Sequence, residues 1–346
     1  MNEPNQKRSA FAPVLFLISL VIFGILAYKY ADKWLRAVLL YLSKAGWAQE
    51  TISHISVAHQ FADRFIAGDT ITEAIAVSRT MNQKGITTTL NFLGEHVTNP
   101  QEALAARDEI ARLMDAIHES GIQAYVSVKP SQLGLQVSPD LLYENMRALL
   151  EHGRDTQIKI RMDMEDHTTT DTTLGIYRRL RDEDGFGHNV GVVIQAYLYR
   201  SEQDIRQLVE EGAWVRLCKG AYAEPPEIAF PQKADTDSNY IHLATLMLSE
   251  QARQNGMIPA FATHDERMIQ AIQTYAAENS ISPQSFEFQM LYGIRRELQE
   301  KLVADGYQMR VYIPYGTAWY PYFVRRLAER PANLWFFTSN LVKEIR

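Results

Sequence analysis

From residue 87 onward the chain repeats one unit, and that repeat limits the fold more than anything else in it. Short apolar and β-branched runs at 87–95, 123–129, 157–165, 190–197, 214–219, 259–264, 286–291 and 309–315 alternate with segments of helical period. Asn99-Pro100 and Ser138-Pro139 open two of the helices, pairing a side-chain acceptor at the cap with a proline whose missing N–H costs nothing. Leu104, Ile110, Leu113, Met114 and Ile117 then line one face of the first, which Gly121 stops. Leu142, Met146, Leu149 and Leu150 line the second, up to Gly153. Later helices are expected near 174–181, from a Ser201 cap to Glu211, and over 238–254, 266–277 and 294–304. Strands joined by such crossovers run parallel, the crossovers are right-handed, and eight is the number that closes. The spacing therefore predicts an α/β fold, a (β/α)8 barrel of the TIM type. An open doubly wound sheet would need a nucleotide fingerprint after a strand. The nearest approach, Gly185-Phe186-Gly187 with Gly191, precedes a strand instead and is wrongly spaced.

A barrel leaves the N-terminus to explain. No charged residue occurs over 9–28, where Phe, Leu, Ile and Val dominate. About 20 residues at 1.5 Å each span roughly 30 Å, the thickness of bilayer hydrocarbon, and the run exceeds the apolar core of a signal peptide. The expected organisation is a membrane-anchor segment at 1–29 and N-terminal helices at 30–85, one of them over 71–83 after Gly68-Asp69-Thr70. The catalytic barrel follows at 86–346. Lys7 and Arg8 flank one side of the apolar run, and Lys29, Lys33, Arg36 and Lys44 the other. That bias predicts a single-pass protein of the inner membrane with its catalytic domain on the cytoplasmic side. A net charge of −6 offers no basic footprint for nucleic acid. The single cysteine, Cys218, excludes an internal disulfide framework.

Catalytic groups of a barrel sit at the C-terminal strand ends. In chain order those ends carry Glu95, Lys129, Asp163 with Glu165, Gln195 with Tyr197, Arg216 with Lys219, Thr263-His264, Glu287 with Gln289, and Tyr312 with Tyr315. After the last strand come a Gly316 turn and a helix starting near Pro321, which carries Arg325-Arg326 two turns in. Arginine grips carboxylates and phosphates through paired hydrogen bonds, so the cations suit an anionic ligand. Tyr222, Leu291 and Tyr312 offer apolar walls. A Schiff-base lysine at Lys129 or Lys219 is a competing chemistry, as is a metal site from Asp163, Glu165, His264 and Asp265, although only one histidine is at hand there. Both would make the chain a lyase acting on a small carboxylate. A non-catalytic binding module is the third reading.

The strings Arg216-Leu217-Cys218-Lys219-Gly220-Ala221-Tyr222, Phe261-Ala262-Thr263-His264-Asp265, Phe286-Glu287-Phe288-Gln289-Met290-Leu291 and the stretch 312–326 resemble proline dehydrogenase in its monofunctional bacterial form. The resemblance runs from about residue 31 to the C-terminus. It implies FAD, oxidation of L-proline to Δ1-pyrroline-5-carboxylate, quinone as electron acceptor, and a pyrroline-5-carboxylate dehydrogenase as a possible partner. It also implies roles. Arg325, Arg326 and Lys129 would hold the substrate carboxylate, and Tyr222, Leu291 and Tyr312 would surround the ring. Arg216 would sit at flavin N5, with Asp163 orienting the constellation by pairing with Lys129. Met164, Gln195, Lys219, Gly220, Ala221, Thr263 and His264 would hold the cofactor. No metal is implied.

Overall fold

Parallel pairing runs around a closed ring of eight strands: β1 (Thr87–Phe92), β2 (Ala124–Val128), β3 (Ile160–Met162), β4 (Val190–Gln195), β5 (Trp214–Cys218), β6 (Ile258–Ala262), β7 (Glu287–Leu291) and β8 (Gln308–Tyr315). β1 closes the ring by pairing with both neighbours, Thr88 lying opposite Ala124 on one side and Val311 on the other. In this computed structural model of the protein the described residues are Tyr41 and 64–329, with side chains described through Val324.

The helices are α1 (Ile71–Gln83), α2 (Pro100–Ser120), α3 (Pro139–Thr156), α4 (Thr170–Arg178), α5 (Ser201–Glu210), α6 (Lys233–Met247), α7 (Glu250–Gln254), α8 (Glu266–Glu278), α9 (Arg296–Ala304) and α10 (Trp319–Glu329). Local chemistry starts most of them. Asn99 accepts from Gln101 N–H ahead of α2, Ser138 from Leu141 N–H ahead of α3, and Thr70 forms a reciprocal capping box with Glu73 ahead of α1. Several expectations need correcting. The stripe of α2 begins at Ala103, not Leu104, which is 36% exposed. Counting back from Ile110 at helical spacing lands on Ala106 and Ala103, about 100° away from Leu104. Ser201 is the first residue of α5, not its cap, because its hydroxyl is drawn to the Gln195 carbonyl. The helix expected over 238–254 is two, since Ser249 caps α7. α10 starts at Trp319, two residues before Pro321.

The strands bury residues on both faces for different reasons. One face is apolar: Val126, Ile160, Val192, Val215, Phe261, Phe288 and Val311 are fully buried and belong to the main hydrophobic cluster with the helices. The other face is polar and aromatic. Tyr125 on β2 meets Trp214 on β5 edge-on at 5.0 Å, and Arg216 on β5 reaches Asp163 after β3 at 2.7 Å. Neither pair joins adjacent strands, so both contacts cross the barrel interior.

The chain divides into a compact unit of Asp63–Trp319, which contains the barrel, and a second unit of Met1–Ala62 with Tyr320–Arg346. The expected membrane-crossing helix and inner-membrane placement do not stand. No helix among the described residues is long and apolar enough to cross a membrane. α2, α3 and α8 are amphipathic, with buried apolar residues on one face and polar residues on the other. The stretch 9–28 on which that expectation rested lies outside the described residues.

Candidate active site

At the C-terminal strand ends one carboxylate collects three donors. Asp163, just past β3, accepts from the hydroxyl of Ser127 (2.7 Å), from Arg216 Nη1 (2.7 Å) and from the Tyr312 hydroxyl (2.8 Å). Ser127, Arg216 and Tyr312 come from β2, β5 and β8, so Asp163 ties strands from around the ring to one point. Arg216 is nearly fully buried. Its Nε donates to Gln289 Oε1 at 2.5 Å, its Nη1 is held by Asp163 and by Ser127 at 3.3 Å, and it lies over the Tyr312 ring at 5.2 Å. Its Nη2 has no partner among the described residues. A guanidinium fixed along two edges with the third donor unspent is arranged to receive a ligand.

That orientation is held from below. Gln289 must offer its carbonyl oxygen to Arg216 because its amide N–H donates to Glu287. Glu287 in turn accepts from Arg310 Nε at 3.0 and 3.1 Å, and Arg310 Nη1 reaches the Thr88 carbonyl at 2.6 Å. Burial would raise the Glu287 carboxyl, but the charges of Arg310 and Arg161 outweigh it and hold the group below the usual range.

Lys129 does not pair with Asp163. Its Nζ sits 2.9 Å from Glu95, both side chains being largely buried, because the oxygens of Asp163 are already committed to Arg216, Tyr312 and Ser127. The loop after Lys129 is anchored by Glu165, which accepts from the Ser131 N–H and hydroxyl at 2.7 Å each, while Gln195 donates to the Glu165 carbonyl. Burial raises the Glu165 carboxyl. Met164, between these two acids, is buried.

A second cluster lies at the ends of β5 and β6. Lys219 bridges Asp237 (2.5 Å) and Asp265 (3.0 Å), with Lys233 and Arg267 on the same acids. Burial alone would raise Asp265, yet hydrogen bonds from Lys219 and Arg267 hold it well below the usual carboxylate range. Asp265 also caps α8. Three cations against two carboxylates at the starts of α6 and α8 leave positive character suited to an anion. Gly220 follows with φ +112, and a Cβ there would lie 2.4 Å from the Tyr197 ring, so no other residue fits. The adjoining loop, with Ala221 exposed and Tyr222 half-buried, is stitched back by Glu224. That carboxylate accepts from His167 N–H (3.0 Å) and the Tyr197 hydroxyl (3.2 Å) and contacts the His167 ring. Thr263 is buried, and its hydroxyl accepts from Asp265 N–H. His264 Nε2 accepts from Leu291 N–H at 3.0 Å, which aligns the ends of β6 and β7.

Asp163, Arg216 and Tyr312 thus meet directly, while Lys219 and Asp265 form a neighbouring group. Arg325 and Arg326 lie in α10, their side chains outside the described residues. The competing chemistries find no support in these contacts. Lys129 and Lys219 are engaged by carboxylates, and among the described residues no group of three or more His, Cys, Asp or Glu side chains could hold a metal. The Cys218 thiol is pushed up to about 12 by burial, away from nucleophile chemistry. Sequence reasoning missed Ser127 and Glu224. Ser127 lies two residues before Lys129 on the same strand face, a period-two signal that was available; Glu224 lies in an irregular loop, where no period marks it.

Comparison with known proteins agrees with this architecture. A profile described as proline dehydrogenase matches residues 74–339. Proline dehydrogenase 1 of Bacillus subtilis is 39% identical over 90% of this chain and all of its own length. Proline dehydrogenase of Deinococcus radiodurans is 41% identical over 82% of this chain and 90% of its own. The crystal structure of proline utilization A (PutA) from Bdellovibrio bacteriovorus, inactivated by N-propargylglycine, superposes with a TM-score of 0.75 at 27% identity. That match covers 93% of this chain and 39% of the other. With the profile spanning most of the barrel and relatives matched nearly end to end, this chain belongs to the proline dehydrogenase family.

Proposed function

We propose that the chain oxidises L-proline to Δ1-pyrroline-5-carboxylate, the first step of proline catabolism, using FAD and passing electrons to a quinone. Family membership supports the reaction. The observation that carries the site assignment is the Arg216 guanidinium, locked on two edges with a buried Nη2 unspent at the barrel mouth. A flavin fits such a mouth: a buried orphan donor waits for its ring, and the Lys219 cluster beside the Gly220 approach suits its phosphates. When bound, FAD supplies a two-electron acceptor for the hydride that leaves proline C5; the amine proton passes to solvent.

The chain's own residues do the positioning. Lys129, Arg325 and Arg326 hold the substrate carboxylate, and Tyr222, Leu291 and Tyr312 wall the ring and exclude water. Asp163 keeps Arg216 and Tyr312 in register. With the cofactor bound, Arg216 would offer its unspent Nη2 donor to it and favour negative charge developing there. Met164, Gln195, Lys219, Gly220, Ala221, Thr263 and His264 form the cofactor's bed. A separate enzyme oxidising pyrroline-5-carboxylate is the natural consumer of the product. The test is an absorbance spectrum before and after proline. A yellow protein that bleaches with proline, and recovers with a soluble quinone, is expected. A chain that stays colourless after reconstitution with FAD would refute the reading.

A further inference from the structure

Arg161 is a buried cation that acts on Glu287 through its charge but makes none of the hydrogen bonds described so far. It is 1% exposed, and its Nε, Nη1 and Nη2 all lack hydrogen-bond partners among the described residues. Its guanidinium carbon lies over the Trp214 ring, 3.9 Å from the centroid. Trp214 can lie there only because residue 191, opposite Arg161 in the β3–β4 register, is glycine: a Cβ would come within 2.4 Å of the indole. Tyr125 closes on Trp214 edge-on at 5.0 Å, and Arg310 stacks on Tyr125 at 3.9 Å. This aromatic floor lies across the barrel interior beneath the mouth and limits water and salt from that side.

Position along the strands puts Arg161 directly beneath the candidate site. It precedes Asp163 by two residues on the same face of β3, and its platform Trp214 precedes Arg216 by two residues on the same face of β5. Two residues rise roughly 7 Å along a strand. Asp163 and Glu287 are the carboxylates that Arg161, Arg216 and Arg310 face. Both are taken by hydrogen bonds from Arg216 and Arg310, which leaves one positive charge over. Lys159, 5.7 Å from the same indole, adds to that excess. A buried, unpaired guanidinium is a standing cost to the folded state, and an apolar residue of similar volume would serve packing better. Groups kept against stability belong to function more often than to architecture.

We propose that Arg161 is an electrostatic positioning residue: its uncompensated charge, one layer below the Asp163–Arg216 pair, biases the bound flavin toward its reduced, electron-rich form. The inference rests on the flavin reading given above. Charge acts across the layer without contact, and the closed floor weakens the screening that would otherwise cancel it.

The experiment compares the flavin midpoint potential in purified wild type, R161M and R161Q by equilibration against a reference dye. Thermal unfolding of the same three proteins is followed in parallel. Both variants should favour the reduced flavin about tenfold less, a fall of roughly 30 mV for a two-electron couple. R161M should melt no lower than wild type, since it removes an unpaired buried charge. Equal potentials in all three proteins overturn the proposal. So does an R161M chain that fails to fold or melts much lower, because the guanidinium would then be an architectural requirement. A wild type that never binds flavin refutes the functional reading instead, a result separable from either of these.

Discussion

Removing the carboxylate of Asp163 should leave Arg216 buried with its charge uncompensated, and the loss can be sized. The two side chains are 16% and 7% exposed and 2.7 Å apart, and the acid also receives Ser127 and Tyr312. Breaking a buried pair by deleting one partner costs about 3–5 kcal/mol. Water reaches Asp163 more readily than Arg216, so the lower end applies, about 3 kcal/mol. For a unit of this size that lowers the melting temperature by roughly 6–12 °C. Arg216→Met should cost less, because Asp163 keeps two hydroxyl donors and some solvent. In the double variant neither charge is stranded, so it should be more stable than Asp163→Ala alone. Near-UV circular dichroism through urea titrations would measure all four corners of the cycle. Losses that add within about 0.5 kcal/mol would refute the reasoning, since independent sites add and a shared buried pair does not.

Tyr312→Phe keeps the ring beneath Arg216 and deletes only the hydroxyl to Asp163, so stability should fall by about 1–2 kcal/mol in a chemical melt. Asp265 titrates lower in the folded chain than its unfolded value of about 3.9. Its ion pair with Lys219 therefore contributes fully above about pH 4 and is lost as pH falls toward the depressed folded value. Asp265→Asn keeps the α8 cap, so its stability deficit at pH 6 should shrink in melts below about pH 4. Gly220→Ala should strain the loop against Tyr197 and release the cofactor, read as free flavin on gel filtration. Arg325→Met and Arg326→Met should each raise the KM for proline greatly at unchanged flavin content; loss of flavin instead would reassign those residues.

Much of the barrel was legible because its signals are local. Asn99-Pro100, Ser138-Pro139 and Thr70 with Glu73 each act within one turn, and each starts a helix where the sequence places it. Two of the misreadings trace to a group outside the local period. The Ser201 hydroxyl went to Gln195 and not to its own helix. Lys129 turned to Glu95 because Ser127 from its own strand, with Arg216 and Tyr312 from two others, had filled Asp163.

The candidate site divides the same way. Its strand-end residues could be named from the sequence, since period and position put them at the barrel mouth. Which of them touch could not be named, because the partners of Arg216 lie 53 to 96 positions away and only closure of the ring brings them together. The polar interior was only partly read: Arg216 and Glu287 were named at strand ends, while Arg161 and Arg310, deeper in runs that are mostly apolar, also prove to be buried.

By itself, then, the order of residues determined eight parallel strands, their crossover helices and the family to which they belong, since each depends on short-range periodicity and caps. Only the folded chain decided that Asp163 serves Arg216, that Lys129 serves Glu95, and that beneath them the Arg161 guanidinium has no hydrogen-bond partner among the described residues. Those outcomes are competitions for a few lone pairs in a space shielded from water, and such competitions are settled by which side chains arrive there together.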